Sequence, residues 1–190
     1  MTERARSEQA IALEIRASRP DDLPAIREIY AYHVLNGLGS FEEAPPDLAE
    51  LGRRRDDVIG RRLPHLVAAL DGEVGGFAYA GPYRTRPAYR YTVEDSVYVA
   101  PSRSGRGIGR ALLERVIERC QAADCRQMIA IIGDSDNAPS IGLHEALGFT
   151  RVGLLTSVGL KFGRWVDTVI MQRPLGPGDA DLPDVAEPDR

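Results

Sequence analysis

Two periodicities divide this chain. Leu23, Ile26, Tyr30 and Val34 recur at helical spacing, as do Ile108, Leu112, Leu113, Val116, Ile117 and Cys120, and both sets predict amphipathic helices. Leu48, Leu51, Val58 and Ile59 mark another helix, with Asp47 placed to cap it. Ser18 reads as the N-cap of the first helix, with Pro20 in its first turn and Asp21 at the third helical position. A short helix is expected over 140–147. Apolar, β-prone runs fall at 13–16, 66–70, 74–80, 92–99, 128–132, 149–153 and 167–172, and Asp71-Gly72 is a hairpin signal between two of them. Strands arrive in runs with helices between some of them, so the pattern predicts a mixed α/β (α+β) domain over 13–174. Residues 1–12 read as a loose lead-in. Residues 175–190, rich in Pro, Gly and Asp, read as an unstructured acidic tail.

Composition narrows the class. A chain of 190 residues with 43% hydrophobic and 27% charged positions suits one globular domain with a proper core. No stretch is long and apolar enough to span a bilayer, and the polar start lacks a secretory core, so a cytoplasmic setting without membrane partners is expected. The formal net charge of -4 comes from the end of the chain, where five acids face Arg190 after Gly176; the remainder is formally neutral. That balance argues against a general nucleic-acid binder. Cys120 and Cys125, with no His pair beside them, make a poor zinc site; no metal is expected, and both read as buried thiols.

The most informative stretch runs from Val97 to Leu113, where a predicted strand passes through a glycine turn, Ser104-Gly105-Arg106-Gly107-Ile108-Gly109, into the long helix. The first N–H groups of a helix lack intrahelical partners and, with the helix dipole, attract an anion. Glycines let the backbone approach a phosphate closely. A P-loop would need Gly-Lys-Ser/Thr where Gly109-Arg110-Ala111 stands. A dinucleotide fingerprint would need G-x-G-x-x-G in an early βαβ unit, whereas these glycines run G-x-G-x-G deep in the chain. A glycine-rich turn with no ligand is the bland alternative.

This turn resembles the pyrophosphate loop of the GNAT superfamily of N-acetyltransferases, Gln/Arg-x-x-Gly-x-Gly/Ala, with Ser104 in place of the leading Gln or Arg. Because such a loop binds mainly through backbone N–H groups, the departure implies weaker tuning rather than lost binding. A second GNAT-like motif is Asn137-Ala138-Pro139-Ser140 leading through a short helix to Gly148-Phe149. Gly81-Pro82-Tyr83-Arg84, the run from Tyr91 to Val99, His144-Glu145-Ala146-Leu147-Gly148-Phe149 and Lys161-Phe162-Gly163-Arg164-Trp165 are similar to the phosphinothricin and methionine sulfoximine acetyltransferases within that superfamily. The resemblance implies a mostly antiparallel sheet flanked by helices and splayed at an acetyl-CoA site. It also implies direct attack by a small amine in a ternary complex, and a homodimer.

Acetyl transfer requires the amine to lose a proton, since an alkylammonium titrates near ~10. It also requires the thioester oxygen to be stabilised as it turns anionic, and the reactants to be held together. The resemblance implies that Glu94 is the base, acting directly or through water, with a raised pKa if partly buried. Strand alternation sets Glu94 on the face of Thr92, Ser96 and Tyr98; a surface carboxylate paired with an Arg is the alternative. His144 stands where many relatives carry a Tyr that protonates the departing thiolate. Imidazole can do the same or act as a base, and a structural His fits equally.

By the same resemblance, Val97 and Val99, flanking Tyr98, are strand positions whose backbone groups pair with the pantetheine arm, and the Val99 amide is an oxyanion donor. Gly105, Arg106, Gly107, Ile108, Gly109 and Arg110 form the pyrophosphate turn. Asn137 contacts the cofactor or simply caps the helix before Pro139, and Ser140 follows one turn later. Arg84, Thr85 and Arg86 suit an anionic group on the acceptor, or form a solvated basic loop. Phe41, Tyr83 and Tyr91 wall the acceptor pocket. Lys161 and Trp165 lie in a late hairpin brought to the pocket edge, across a dimer interface. The rival readings are a protein or peptide N-acetyltransferase and a non-catalytic acetyl-CoA sensor. Neither Cys is placed to carry an acyl group.

Overall fold

The structure, a computed structural model, describes residues 13–183. The lead-in over 1–12 and the last seven residues of the acidic tail lie outside the described residues.

Seven strands form one sheet in the order β1-β2-β3-β4-β5-β7-β6. They are β1 (Leu13–Ala17), β2 (His65–Leu70), β3 (Glu73–Pro82), β4 (Thr92–Val99), β5 (Gln127–Gly133), β6 (Thr150–Lys161) and β7 (Arg164–Pro174). Every neighbouring pair is antiparallel except β4 and β5. Four α-helices cover the sheet: α1 (Leu23–Asn36), α2 (Leu48–Gly60), α3 (Ile108–Ala122) and α4 (Ala138–Ala146).

The alternation along β4 explains the two cores. Val93, Val97 and Val99 face α3, whose Leu112, Leu113, Val116 and Ile117 fill the larger core with Met128, Ile132, Val169 and Met171. Tyr98 points the other way, toward α1, α2 and a smaller core built on Ile26, Tyr30, Val34 and Phe77. Burying each of these aliphatic side chains contributes about 1.5–3 kcal/mol.

The hairpin between β2 and β3 forms as its sequence predicts, with Asp71 and Gly72 both at positive φ, as the favoured two-residue turn requires. Asp47 caps α2 by accepting the Glu50 amide at 2.7 Å. The start of α1 differs from expectation. Ser18 is not its cap: the Ser18 hydroxyl and carbonyl both accept from the Arg55 guanidinium. A single 3-10 turn, Pro20–Asp22, precedes α1. There Asp22 takes the Arg19 amide at 2.6 Å and the Arg16 guanidinium through two hydrogen bonds. The competing ion pair pulls the chain entry away from Ser18.

β6 is far longer than the expected run over 149–153. It is an edge strand with a register shift between Leu155 and Gly159 and with Ser157 at positive φ. Its apolar side chains therefore do not alternate cleanly. The core also extends past β7: Leu175 is fully buried, and Arg126 pairs with Asp181 at 2.5 Å. The segment expected to be unstructured from residue 175 thus begins packed. Both cysteines are buried and free.

Candidate active site

The site is created where two strands part. β4 and β5 run parallel and pair only from Thr92 to Glu94, opposite Gln127 to Ile129; beyond Glu94 they diverge. Hydrogen bonds from the Tyr83 amide to the Thr92 carbonyl and from the Ala100 amide to the Gly75 carbonyl fix the β3–β4 ladder at both ends. Antiparallel alternation then turns the N–H and C=O groups of Thr92, Glu94, Ser96 and Tyr98 toward β3, and those of Asp95, Val97 and Val99 toward the opening. One of these is claimed: the Val99 carbonyl lies 2.8 Å from His33 Nε2 on α1. The Val97 and Val99 amides are left facing a cavity of about 610 Å3. His33, Gly39, Asp95, Gly133, Asn137 and His144 are among its walls.

At the mouth of this opening, α3 begins at the glycine turn. Gly105 and Gly107 have φ of 74° and 77°, the left-handed region that disfavours side chains. Gly109 lies inside the first turn, where an added Cβ would come within 3.4–3.9 Å of Leu143, Val99 and Val97. Among the described residues no side chain caps α3, so its first N–H groups face outward as an anion site requires. Ile108 is buried beneath the turn. Arg106 is exposed, and Arg110 pairs with Glu114 one helical turn on.

Asn137 realises its capping role, accepting the Ser140 amide at 3.3 Å at the head of α4. It also lines the cavity with Ser140. The Tyr98 side chain is turned to the opposite face, packed edge-on against Tyr30 at 4.9 Å and stacked on Phe77 at 5.2 Å.

Glu94 occupies the last paired position of β4, at the point of divergence, and is half-buried. Burial raises its pKa above the ordinary carboxylate value; the Arg84 guanidinium opposes this shift and the neighbouring Asp95 adds to it. His144 is buried with both ring nitrogens engaged, Nδ1 at 2.7 Å from the Ser140 carbonyl and Nε2 at 3.1 Å from Asp95 Oδ2. Neither nitrogen is free to face a ligand directly.

The expected acceptor residues divide into groups. The Phe41 ring lies against the backbone of Gly133 and Gly159: a Cβ at Gly159 would sit 2.7 Å from Phe41 Cζ, and one at Gly133 3.0 Å from Cε1. Lys161 is buried, and its ammonium donates to the Ser40 carbonyl at 2.5 Å, fixing the start of the Phe41 loop. Arg84 stacks over Tyr83 at 4.2 Å, and Arg90 lies over Tyr91 at 4.8 Å. Thr85 and Arg86 are exposed. They line, with Arg84, a wider cleft of about 1280 Å3 that includes neither Glu94 nor the glycine turn. The smaller cavity, whose walls do not include Glu94 either, holds the free backbone edge of β4 and Gly109 of the glycine turn. Trp165 is 66% exposed and does not line that cavity.

Two further residues at the opening, His33 and Asp95, are not among the expected site residues. His33 reads only as a helix-face residue. Asp95 is legible: a carboxylate on the core face of β4, between Val93 and Val97, breaks an otherwise apolar row.

The profile of the Acetyltransferase (GNAT) family matches residues 4–149. The chain is 56% identical over 173 residues to the phosphinothricin N-acetyltransferase of Alcaligenes faecalis, covering 91% of this chain and 88% of that one. It is 42% identical over 168 residues to the L-methionine sulfoximine/L-methionine sulfone acetyltransferase of Pseudomonas aeruginosa, covering 88% of this chain and 97% of that protein. Its fold superposes with a TM-score of 0.89 on the crystal structure of a phosphinothricin acetyltransferase from Sinorhizobium meliloti in complex with acetyl-CoA, at 46% identity, covering 92% of this chain and 94% of that one. With an anion-ready glycine turn, a splayed parallel strand pair and these relatives, the chain belongs to the GNAT family of acetyl-CoA-dependent N-acetyltransferases.

Proposed function

We propose that the chain acetylates the free amine of a small amino-acid-like molecule of the phosphinothricin, methionine sulfoximine or methionine sulfone type. The observation that carries this reading is the half-buried Glu94, the last residue of β4 paired with β5, next in the strand to the residues that edge the opening. In this account the pyrophosphate of acetyl-CoA lies on the Gly105–Gly109 turn and its pantetheine arm pairs with the open edge of β4. Glu94 takes a proton from the acceptor ammonium, directly or through water, and its raised pKa suits it to that task. The amine nitrogen then attacks the thioester carbon. The C–S bond breaks, and CoA leaves as a thiolate that takes up a proton. The Val99 amide steadies the oxygen while it is anionic. Arg84, close enough to Glu94 to affect its titration, meets the acidic group of the acceptor, and Phe41 walls the pocket. The reaction is set in the cytoplasm.

A second copy of the chain completes the reading. Val152, Leu154, Leu155, Val158, Leu160 and Trp165 are all exposed on or beside edge strand β6. An apolar edge of this kind is an interface or an aggregation hazard. Its burial in a homodimer brings Trp165 toward the partner's pocket.

Release of CoA thiol with a panel of amines tests the reading. Turnover is expected with phosphinothricin or methionine sulfoximine and not with peptide amines. Turnover confined to peptides would move the activity to a protein N-acetyltransferase. Binding of acetyl-CoA without any turnover would make the chain a sensor.

A further inference from the structure

Asp95 is out of place by every local rule. It lies on the core face of β4 among valines and the apolar face of α3, with its side chain 2% exposed. An unpaired carboxylate there costs several kcal/mol. Its Oδ2 meets His144 Nε2 at 3.1 Å, while Oδ1 has no partner among the described residues. The second nitrogen of His144 faces the Ser140 carbonyl, which can only accept, so Nδ1 carries a proton. A further proton must then lie between Nε2 and Oδ2. The pair is thus a single neutral unit that shares one proton between Nε2 and Oδ2. Consistently, Asp95 and the Ser140 carbonyl raise the His144 pKa against the opposing pull of burial, the largest single influence. The groups packed on the pair from other elements are the Cys120 thiol of α3 and the Phe149 ring, edge-on to the imidazole at 4.9 Å, while the Glu94 carboxyl, next along β4, acts on Asp95 by charge from the opposite face.

Its placement gives the pair a task. Asp95 is the first residue of β4 beyond the last pairing with β5. His144 stands on α4, which follows β5 in the chain. The Asp95–His144 bond therefore crosses the vertex of the opening, and both residues wall the cavity. We propose that Asp95 is a positioning residue for acetyl transfer. Through His144 it ties α4 to β4 across the vertex, and this tie sets the width of the slot in which the thioester lies beside Val99. The inference rests on the reading of that slot as the acetyl-CoA site. It separates Asp95 from Glu94: adjacent carboxylates face opposite sides of the strand, one toward the acceptor amine and one holding the donor's frame.

The test is a double-mutant cycle of Asp95→Asn and His144→Gln. Acetyl-CoA dissociation is measured by calorimetry, with kcat and both KM values by thiol release. If Asp95→Asn does not fold, Asp95→Ser replaces it. Positioning predicts that either single variant raises the acetyl-CoA Kd about fivefold or more. It predicts a fall in kcat of up to about 100-fold, with the amine KM unchanged. The double variant should be no worse than the poorer single one. Wild-type affinity for acetyl-CoA should also weaken as pH climbs through the raised His144 pKa, because a bare Nε2 lone pair then faces the carboxylate; Asp95→Asn should lack that step. A variant that lowers only the melting temperature, leaving Kd and kcat unchanged, overturns the proposal, as do multiplicative effects in the double variant. Failure of the wild type to bind acetyl-CoA would instead overturn the underlying reading of the slot.

Discussion

Single residues decide how the acceptor side is built. Gly159 on β6 and Gly133 on β5 leave just enough room for the Phe41 ring, which Lys161 anchors from below through the Ser40 carbonyl. Gly159→Val would drive a branched side chain into that ring. The amine KM should rise about tenfold while the acetyl-CoA Kd stays put; an unchanged amine KM would show that Phe41 does not wall the pocket. Sequence alone points to Phe41 by resemblance, but the two glycines that seat it lie 92 and 118 positions away, where no local pattern connects them. Alternation assigns Glu94 its face, while its role as base comes from the family resemblance alone. The same alternation exposes Asp95 as a polar intruder on the apolar face, yet its partner His144 lies 49 residues on. His33 is illegible, since its role is a bond to a backbone carbonyl that only the splay leaves free.

At the scale of elements, the decisive feature is the junction of β4 and α3. The glycine turn and the helix after it are readable from the chain because both depend on local backbone preference. Gly107→Val would place a β-branched residue at φ 77°, at a cost of about 1–2 kcal/mol. The turn should relax and the acetyl-CoA Kd should climb about tenfold or more. An unchanged Kd would mean that the turn does not hold the pyrophosphate. The start of α1 and the length of β6 were not readable. In one, a long-range Arg55 contact competes for the expected cap. In the other, an irregular edge strand lacks the period-2 signal and is defined by its pairing with β7.

Across the whole molecule, the sheet has two edge strands, the short β1 and the twelve-residue β6, and β6 is the longer open edge. That open edge carries a run of exposed apolar residues that includes Leu155, with Trp165 exposed beside it on β7. In sedimentation, the wild type is expected to behave as a dimer and Leu155→Asp to shift toward monomer, because a charge on that face must be desolvated to re-form the contact. A wild type that is monomeric at all accessible concentrations would contradict the homodimer. Fold class follows from the sequence because it depends on periodicity summed over many residues. The splay follows from the family resemblance and not from periodicity: it arises where β4 and β5 cease to pair, and nothing in either strand's own pattern marks that point.

The central claim is that Glu94, at the vertex of the splay, removes the proton from the acceptor amine. Its most direct test is the rate of CoA thiol release for wild type and Glu94→Gln across pH, with acetyl-CoA binding measured alongside. The carboxylate must be ionised to act, so wild-type kcat/KM should rise with pH through a value above the ordinary carboxylate range. Glu94→Gln should lose at least about 100-fold in kcat, with acetyl-CoA affinity unchanged. A variant that keeps wild-type kcat and the same pH profile would contradict the account.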